Sequence, residues 1–212
     1  KYSRQHAGKP VSIKGRVIDK ITRQQVSAKV YAEEDSTAYS LLKTRTDSVS
    51  GAFVLEAPQN SGIHLAALRE GYLIATLDIR TGRRDTSLVL ELEPALKGGK
   101  MILFNIYFQP NKAAIQPNSL PELERLLEFM QQSADKYIRI TGHTNANVFT
   151  SKSWLLDLSV YRAAAVRDYL TGKGIDPARI RIAGAGGSRP LVLSNDMREA
   201  MKNLRVEIEL LN

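Results

Sequence analysis

The residues with the clearest chemical potential lie in the segment Ile140–Val166, which runs from the end of a predicted strand through a polar loop into a predicted helix that carries Arg162. Arg162 is followed by three alanines, and small neighbours leave a guanidinium accessible. A planar guanidinium can bind a carboxylate through two parallel hydrogen bonds. For Arg162 the residues alone leave two interpretations open, a carboxylate-binding arginine and an ordinary surface arginine. For His143 they leave open a general base and a histidine that orients its loop by hydrogen bonding.

The sequence contains none of the common signatures of catalysis. There is no G-x-S-x-G turn for a hydrolase nucleophile and no H-E-x-x-H zinc motif. Cysteine is absent, and the three histidines occur at no spacing typical of metal ligands. The segment Gly172–Gly174 contains the lysine of a phosphate loop but lacks the serine or threonine that should follow it. We therefore predict a protein that is not an enzyme and needs no metal or other cofactor.

The net charge of +8 on 212 residues is spread evenly along the chain. Residues 1–97 and 98–212 each carry 15 basic and 11 acidic side chains, and the longest basic run is Arg83–Arg84. Nucleic-acid-binding proteins usually concentrate their charge in a patch, so we expect no nucleic-acid partner. Apolar runs are too short for a membrane helix. Because the chain starts at Lys1 with no signal peptide or lipobox, we expect any membrane anchor to lie outside it.

The first half has the pattern of an all-β domain. Its apolar segments are short, rich in β-branched residues and separated by turn-forming residues about every ten positions, which is typical of a β-sandwich. The predicted strands are Val11–Ile18, Ala28–Ala32, Ala52–Ala57, Ile63–Leu68, Tyr72–Ile79 and Thr86–Glu93.

The pattern changes at Gly98-Gly99, where we place the boundary between two domains, 1–97 and 98–212. Beyond it, strands and helices alternate in the order β-α-β-α-β-α-β, which predicts an α/β domain with helices packed on a sheet. Ser119 and Glu122 match a capping box at the start of the first helix. The predicted elements are the strand Met101–Phe108, the helix Ser119–Gln132, the strand Tyr137–Thr141, the helix Lys152–Thr171, the strand Arg179–Ala183, the helix Ser194–Asn203 and the strand Arg205–Leu210.

Residues 101–212 resemble the OmpA C-terminal-like domain. The motif GHTN at 142–145, followed by LSVYRAAAV at 158–166, is similar to the family signature GHTD…LSxxRAxxV. Four further motifs follow the order found in the family. They are Asn105–Ile115, Leu170–Ile180, Gly184–Pro190 and Asn203–Glu207.

This resemblance implies non-covalent binding of peptidoglycan through the diaminopimelate of its stem peptide. In the family an arginine holds the diaminopimelate carboxylate, and that position is Arg162 here. An acidic side chain holds the ammonium group, but here the position is Asn145, which makes only a neutral hydrogen bond. Further contacts of the family correspond to Asn111 and Thr144, and the position of a helix asparagine is occupied by Leu155. The resemblance thus implies a peptidoglycan site at these five residues.

Two more positions affect the expected site. Leu204 replaces an arginine of the family pattern, and Trp154, the only tryptophan, lies at the end of the loop that precedes the second helix. For Trp154 we expect packing into the core, with stacking on a sugar as the alternative. Asp157 cannot substitute for the missing acid, because it lies about 140° around the helix from Arg162.

The first half resembles carboxypeptidase regulatory-like domains. The motifs that carry this resemblance are Gly15–Asp19, Val26–Val30, Gly51–Leu55 and Gly71-Tyr72. The resemblance implies a seven-stranded transthyretin-like sandwich with no catalytic activity of its own.

The order of the two domains resembles that of envelope proteins of Bacteroidota with OmpA domains, among them a lipoprotein component of the type IX secretion system. We therefore expect a protein at the periplasmic face of the outer membrane that tethers an envelope complex to the cell wall. Its expected partners are the peptidoglycan stem peptide and other envelope proteins. The alternative is a protein-interaction module whose wall-binding site has decayed, as Asn145, Leu155 and Leu204 would suggest.

Overall fold

The computed structural model describes residues 9–34, 42–146, 150–194 and 196–212. The chain forms two compact units, one ending at Pro94 and the other beginning at Ala95. Among the described residues, no helix is both long and apolar enough to cross a membrane.

The described part of the first unit contains seven strands in two sheets. One sheet has the order β4-β1-β7, with β7 parallel to β1, and the other has the order β3-β2-β5-β6. The sequence analysis missed β3, a strand of only four residues. The strands are β1 (Val11–Asp19), β2 (Lys29–Glu34), β3 (Leu42–Arg45), β4 (Ala52–Ala57), β5 (Gly62–Leu68), β6 (Ala75–Arg80) and β7 (Thr86–Leu92).

The two sheets of the first unit share one hydrophobic core. Along β1 every second residue is buried, because alternate side chains of a strand point to opposite faces. Ile13 and Val17 of β1 lie in the same buried cluster as Val30 of β2 and Leu65 of β5. The apolar faces of the two sheets are therefore buried against each other. The transthyretin-like type of this unit stays a prediction.

The unit boundary lies three residues before the predicted one. Gly98 donates its N–H to Leu210 O at 2.9 Å, and Leu210 returns its N–H to Gly99 O at 2.9 Å. The two glycines are thus tied to the last strand of the second unit rather than forming a free linker. The sequence could not show this pairing, because its partner is more than 100 positions away.

The second unit is a four-stranded sheet with the order β10-β9-β11-β8 and two long helices. β10 and β9 are parallel, whereas β11 is antiparallel to both of its neighbours. The elements are β8 (Lys100–Leu103), α1 (Leu120–Gln132), β9 (Ile138–Gly142), α2 (Lys152–Gly172), β10 (Ile180–Gly184), α3 (Met197–Ala200) and β11 (Val206–Leu210), with short 3₁₀ turns at Pro117–Ser119, Pro177–Arg179 and Met201–Asn203.

Helix α2 packs on β9 and β10, and α1 packs against α2. Ile138 and Ile140 of β9 and Val206 and Ile208 of β11 are fully buried, and the residues between them are partly exposed. One face of the sheet therefore supplies the core, as the alternation in the sequence predicts. This packing fixes the end of β9, with the GHTN motif at 142–145, beside α2, which carries the motif at 158–166.

The first strand of the second unit is shorter than predicted. It ends at Leu103, and the residues up to Phe108 instead lead into a small hairpin. The helix predicted over Ser194–Asn203 is also shorter, with one α-helical turn followed by the 3₁₀ turn Met201–Asn203. Tertiary hydrogen bonds help to fix both segments: Tyr107 donates its N–H to the Ser119 hydroxyl, and Leu191 donates its N–H to Asn203 Oδ1.

The predicted capping box at α1 is wrong. Ser119 occupies the N-cap position, but its side chain makes no capping hydrogen bond. Its hydroxyl instead accepts from Tyr107 N at 2.8 Å and donates to Tyr107 O at 3.1 Å, and Glu122 pairs with Arg125. The serine therefore attaches the preceding hairpin to the helix rather than capping the helix.

Candidate ligand-binding site

A small hairpin formed by residues 107–116 positions Asn111. Gln109 donates to Ala114 O at 2.9 Å, and Lys112 N donates to Gln109 O at 3.0 Å, which closes a four-residue turn. Pro110 is the second residue of this turn, and Asn111 is the third, with φ of +55°. A turn with proline followed by a left-handed residue is of type II, and asparagine tolerates that conformation better than most residues. The exposed Asn111 side chain therefore lies at the tip of the turn.

Arg162 holds this hairpin against α2. Its Nε donates to Lys112 O across 3.2 Å, and its guanidinium carbon lies 4.9 Å from the centre of the Phe108 ring. The residue is only 8% exposed. The hydrogen bond and the ring contact fix the plane of the guanidinium, so its remaining N–H groups have a defined direction.

The charge of Arg162 has no counter-ion among the described residues, since no carboxylate there lies within ion-pair distance of it. Burial lowers the pKa of Arg162 from its ordinary value, because desolvation disfavours the charged form. A buried cation without an acidic partner is energetically costly, and an incoming carboxylate would offset that cost. Arg162 is therefore suited to bind an anionic ligand.

The GHTN motif continues β9 into a loop that contacts both α2 and the loop after β10. A Cβ on Gly142 would lie 2.1 Å from Ser159 O, so only glycine lets the helix approach this closely. Thr144 donates its N–H to Gly186 O at 2.9 Å, and Gly186 donates its own N–H to the Ser159 hydroxyl at 2.9 Å. These contacts place Thr144 and the half-buried Asn145 at the end of β9, beside α2.

Thr144 also carries a buried hydroxyl without a partner among the described residues. The residue is almost fully buried, and buried hydroxyls are nearly always hydrogen-bonded. The unpaired oxygen is a place where a ligand could supply the missing hydrogen bond.

The five predicted site residues differ in their contacts and in their burial. Direct contacts join the Asn111 turn to Arg162, and a short chain of hydrogen bonds joins Thr144 to α2. Leu155 is only 6% exposed, so its side chain belongs to the core and offers little surface to a ligand. We therefore leave Leu155 out of the proposed ligand contacts.

Sequence reasoning missed the role of Phe108 as the platform for Arg162. Phe108 lies in a motif that the sequence analysis recognised, but the two residues are 54 positions apart. Only the folded hairpin brings the ring to the guanidinium. Its position just before a Pro-Asn turn is the one local signal that the ring is held in a hairpin.

A buried polar cluster supports the loop from the sheet side. His143 is 1% exposed, and its Nε2 lies 3.4 Å from Glu207 Oε2, too long for a good hydrogen bond. Arg205 donates to Glu207 through Nε at 2.9 Å and to Arg189 O at 3.1 Å. Burial and the charge of Arg205 lower the pKa of His143, although Glu207 opposes this change. His143 is therefore neutral near pH 7, and its burial keeps the ring away from solvent.

Trp154 is 40% exposed, so the expectation that it packs into the core is wrong. Its backbone N–H bonds to the hydroxyl of Ser151, which caps α2. Asp157 is exposed on a different side of the helix from Arg162, as predicted. Trp154 is exposed because it belongs to the first turn of α2, whose residues 152–154 all lie at the surface.

A groove of about 330 Å³ in the second unit does not include Arg162. It is lined by residues of the sheet, among them Arg139 and Glu209, which pair with each other at 2.9 Å. Mutual neutralisation leaves these two groups little charge to offer a ligand. No set of three or more potential metal ligands occurs in the parts of the chain that the structure describes.

Comparison with known proteins finds similarity in the second unit. Residues 107–204 match the OmpA family. The outer membrane protein A of Bordetella avium is 30% identical over 120 residues, which cover 56% of this chain and 60% of that protein. The peptidoglycan-associated lipoprotein of Mesorhizobium japonicum is 27% identical over 100 residues, which cover 47% of this chain and 58% of that protein.

Among solved structures, the peptidoglycan-associated lipoprotein of Burkholderia pseudomallei is 23% identical to this chain. The aligned region covers 50% of this chain and 87% of that one, with a TM-score of 0.46. The chain spans about 60% of the length of each of the two curated relatives. The second unit is thus similar to the OmpA family, and the two curated relatives are named as an outer membrane protein and a peptidoglycan-associated lipoprotein.

Proposed function

We propose that the second unit binds peptidoglycan non-covalently by gripping a carboxylate of the stem-peptide diaminopimelate with Arg162. The observation that carries this proposal is the buried guanidinium, oriented by Phe108 and Lys112 but without a described counter-ion. A carboxylate could form paired, charge-assisted hydrogen bonds to the N–H groups that remain. The names of the relatives add support, since one of them is a peptidoglycan-associated lipoprotein.

The remaining proposed contacts are polar and neutral. The Asn111 amide is exposed on its turn, Asn145 is half-buried at the end of β9, and the Thr144 hydroxyl lacks a partner among the described residues. Amide and hydroxyl groups can bind the amine and peptide groups of the ligand without an ion pair. The site therefore depends on the Arg162–carboxylate contact for most of its affinity.

At the level of the cell, we propose that the protein acts at the periplasmic face of the outer membrane and tethers an envelope complex to the wall. The OmpA-like second unit and its outer-membrane relatives support this location. The resemblance of the domain order to Bacteroidota envelope proteins makes the type IX secretion machinery the proposed complex. The carboxypeptidase regulatory-like first unit is then the proposed docking surface for partner proteins.

Calorimetric titration with a soluble diaminopimelate-containing muropeptide tests the wall-binding proposal. We expect Arg162→Ala to weaken binding by about 10- to 100-fold, because hydrogen bonds to charged groups contribute about 1.5–3 kcal/mol. Arg167→Ala is the matched control, since Arg167 lies on the same helix and pairs with Asp168. Absence of binding by the unchanged protein would instead favour the alternative function, a protein-interaction module.

A further inference from the structure

One flank of helix α2 presents aromatic side chains to solvent. Trp154 is 40% exposed and Tyr161 is 63% exposed. Asp157 lies between them, is also exposed, and has no described cation within ion-pair distance. We call these three residues the aromatic flank.

Helix geometry aligns the aromatic flank into a stripe. Trp154 and Tyr161 are seven residues apart, which places them within about 20° of each other around the axis and about 10.5 Å apart along it. Asp157 lies within about 60° of Trp154. The stripe runs parallel to the helix for two turns, so an elongated ligand could contact both rings at once.

The aromatic flank borders the proposed carboxylate site. Arg162 lies about 80° around the helix from Trp154 and about 12 Å further along the axis. Three residues of extended peptide span about 10 Å. A stem peptide whose third residue is held by Arg162 could therefore place its sugar attachment point near Trp154.

We propose that the aromatic flank binds the glycan strand of peptidoglycan, with the rings of Trp154 and Tyr161 stacking on amino-sugar faces. This inference rests on the proposed function and extends it from the peptide to the sugar. Sugars present apolar C–H faces and polar edges, and tryptophan and tyrosine combine an apolar ring with a polar group. The Asp157 carboxylate lies where it can accept hydrogen bonds from sugar hydroxyl groups.

The chemistry of the flank favours a glycan over a protein partner. The centre of a protein–protein interface is usually depleted of charged residues, whereas a carboxylate lies between the two rings here. The repeat of a β-1,4-linked disaccharide is also close to the axial spacing of the two rings. The aromatic flank thus matches a polymer of alternating sugars in both its chemistry and its period.

Trp154 provides a direct signal because it is the only tryptophan in the chain. We would titrate the whole chain with three ligands and follow both heat and tryptophan fluorescence. The ligands are the diaminopimelate tripeptide, the same peptide attached to its disaccharide, and a peptide-free glycan strand. We expect the disaccharide to improve affinity about tenfold over the free tripeptide and to change the fluorescence.

Variants separate the glycan contact from the peptide contact. Trp154→Ala and Tyr161→Ser should each lose most of the gain from the disaccharide while keeping the affinity for the free tripeptide. Tyr137→Ser is the matched control, because Tyr137 is similarly exposed but precedes β9, at the opposite end of that strand from Asn145. It should leave all three affinities unchanged.

The outcomes distinguish this inference from the proposed function. If the tripeptide fails to bind but the glycan strand still quenches the fluorescence of Trp154, stem-peptide binding is wrong, whereas glycan binding by the aromatic flank is supported. If the tripeptide binds, but the disaccharide adds no affinity and the glycan strand leaves the fluorescence unchanged, the aromatic flank is not a glycan site. A full gain from the disaccharide in Trp154→Ala would overturn the proposal in the same way.

Discussion

At the scale of single residues, the account depends on the guanidinium of Arg162. Its type and neighbours in the sequence left open a carboxylate-binding role, which the resemblance to the OmpA C-terminal-like domain implied, but its platform could not be predicted. The Phe108 ring and the Lys112 carbonyl reach it from a hairpin about 50 positions away, and only tertiary structure reveals such contacts. Similarly, Trp154 was expected in the core because tryptophan is large and apolar, although its place on the first turn of α2 leaves it exposed.

The geometry of the guanidinium, rather than its charge alone, should determine binding. We expect Arg162→Lys to lose about tenfold in muropeptide affinity, because lysine keeps the charge but cannot form the paired hydrogen bonds. The lysine variant also keeps most of the side-chain volume, so calorimetry should report binding on an intact fold. If Arg162→Lys bound the muropeptide as tightly as the unchanged protein, the paired hydrogen bonds of the guanidinium would not contribute to binding.

His143 predicts a pH dependence of stability. Its pKa is lowered in the folded state from an ordinary value of 6.5, first by burial and then by Arg205, so protonation favours the unfolded chain. The contribution of neutral His143 to the free energy of unfolding is therefore complete above pH 6.5 and is lost as pH falls below it. The slope contributed by one group is at most about 1.4 kcal/mol per pH unit.

Urea unfolding between pH 5 and pH 8, followed by Trp154 fluorescence, measures this dependence. His143→Gln should flatten the slope below pH 6.5 regardless of its effect on stability at neutral pH. A variant that retains the whole slope would place the titrating group elsewhere.

At the scale of elements, local signals predicted most of the fold, and long-range contacts account for the rest. The strand Ala52–Ala57 was predicted with its correct ends, and the helix starting at Lys152 extends only one residue further than expected. The segment Met101–Phe108 failed because its second half pairs within the 107–116 hairpin. The strand Leu42–Arg45 was missed because four residues carry too little alternation to be recognised.

The packing of α2 on β9 predicts a sharp cost for adding one methyl group at Gly142. A Cβ there would meet the Ser159 carbonyl at 2.1 Å, so the helix or the strand would have to move. We expect Gly142→Ala to lower the free energy of unfolding by about 3 kcal/mol, near the upper end for overpacking. Urea unfolding followed by Trp154 fluorescence reports on this unit.

Gly172→Ala is the matched control for that experiment. Gly172 ends α2, and a Cβ there would have no heavy atom within 4 Å. Its effect should stay within about 0.5 kcal/mol. Equal stability of the two variants would show that α2 does not press on β9 as described.

The turn at Asn111 gives a second test of an element. With φ of +55°, the position should accept glycine at little cost, whereas valine is strained there. We expect Asn111→Val to weaken muropeptide binding more than Asn111→Gly, because it also distorts the hairpin that Arg162 holds. Both variants lose the amide, but only the valine variant also disturbs the turn, so calorimetry on both separates the two contributions. Equal losses of muropeptide affinity would show that the backbone conformation at this position has no role in binding.

At the scale of the whole molecule, the boundary between Pro94 and Ala95 predicts that the binding function resides in the second unit. A fragment of residues 95–212 should bind the muropeptide within about twofold of the full chain. A fragment starting at residue 100 should be less stable by about 1–2 kcal/mol, because it lacks the two hydrogen bonds between Gly98-Gly99 and Leu210. Failure of the 95–212 fragment to bind, when the full chain binds, would assign part of the site to the first unit.

The most direct test of the central claim is co-sedimentation of the full chain with purified peptidoglycan sacculi. Because a charge of +8 attracts any polyanion, the decisive comparison adds free diaminopimelate tripeptide as a competitor. The account predicts that the chain sediments with the sacculi, that the tripeptide releases it, and that Arg162→Ala remains in the supernatant. Sedimentation that the tripeptide leaves unchanged, or that Arg162→Ala retains in full, would contradict recognition of the stem peptide at Arg162.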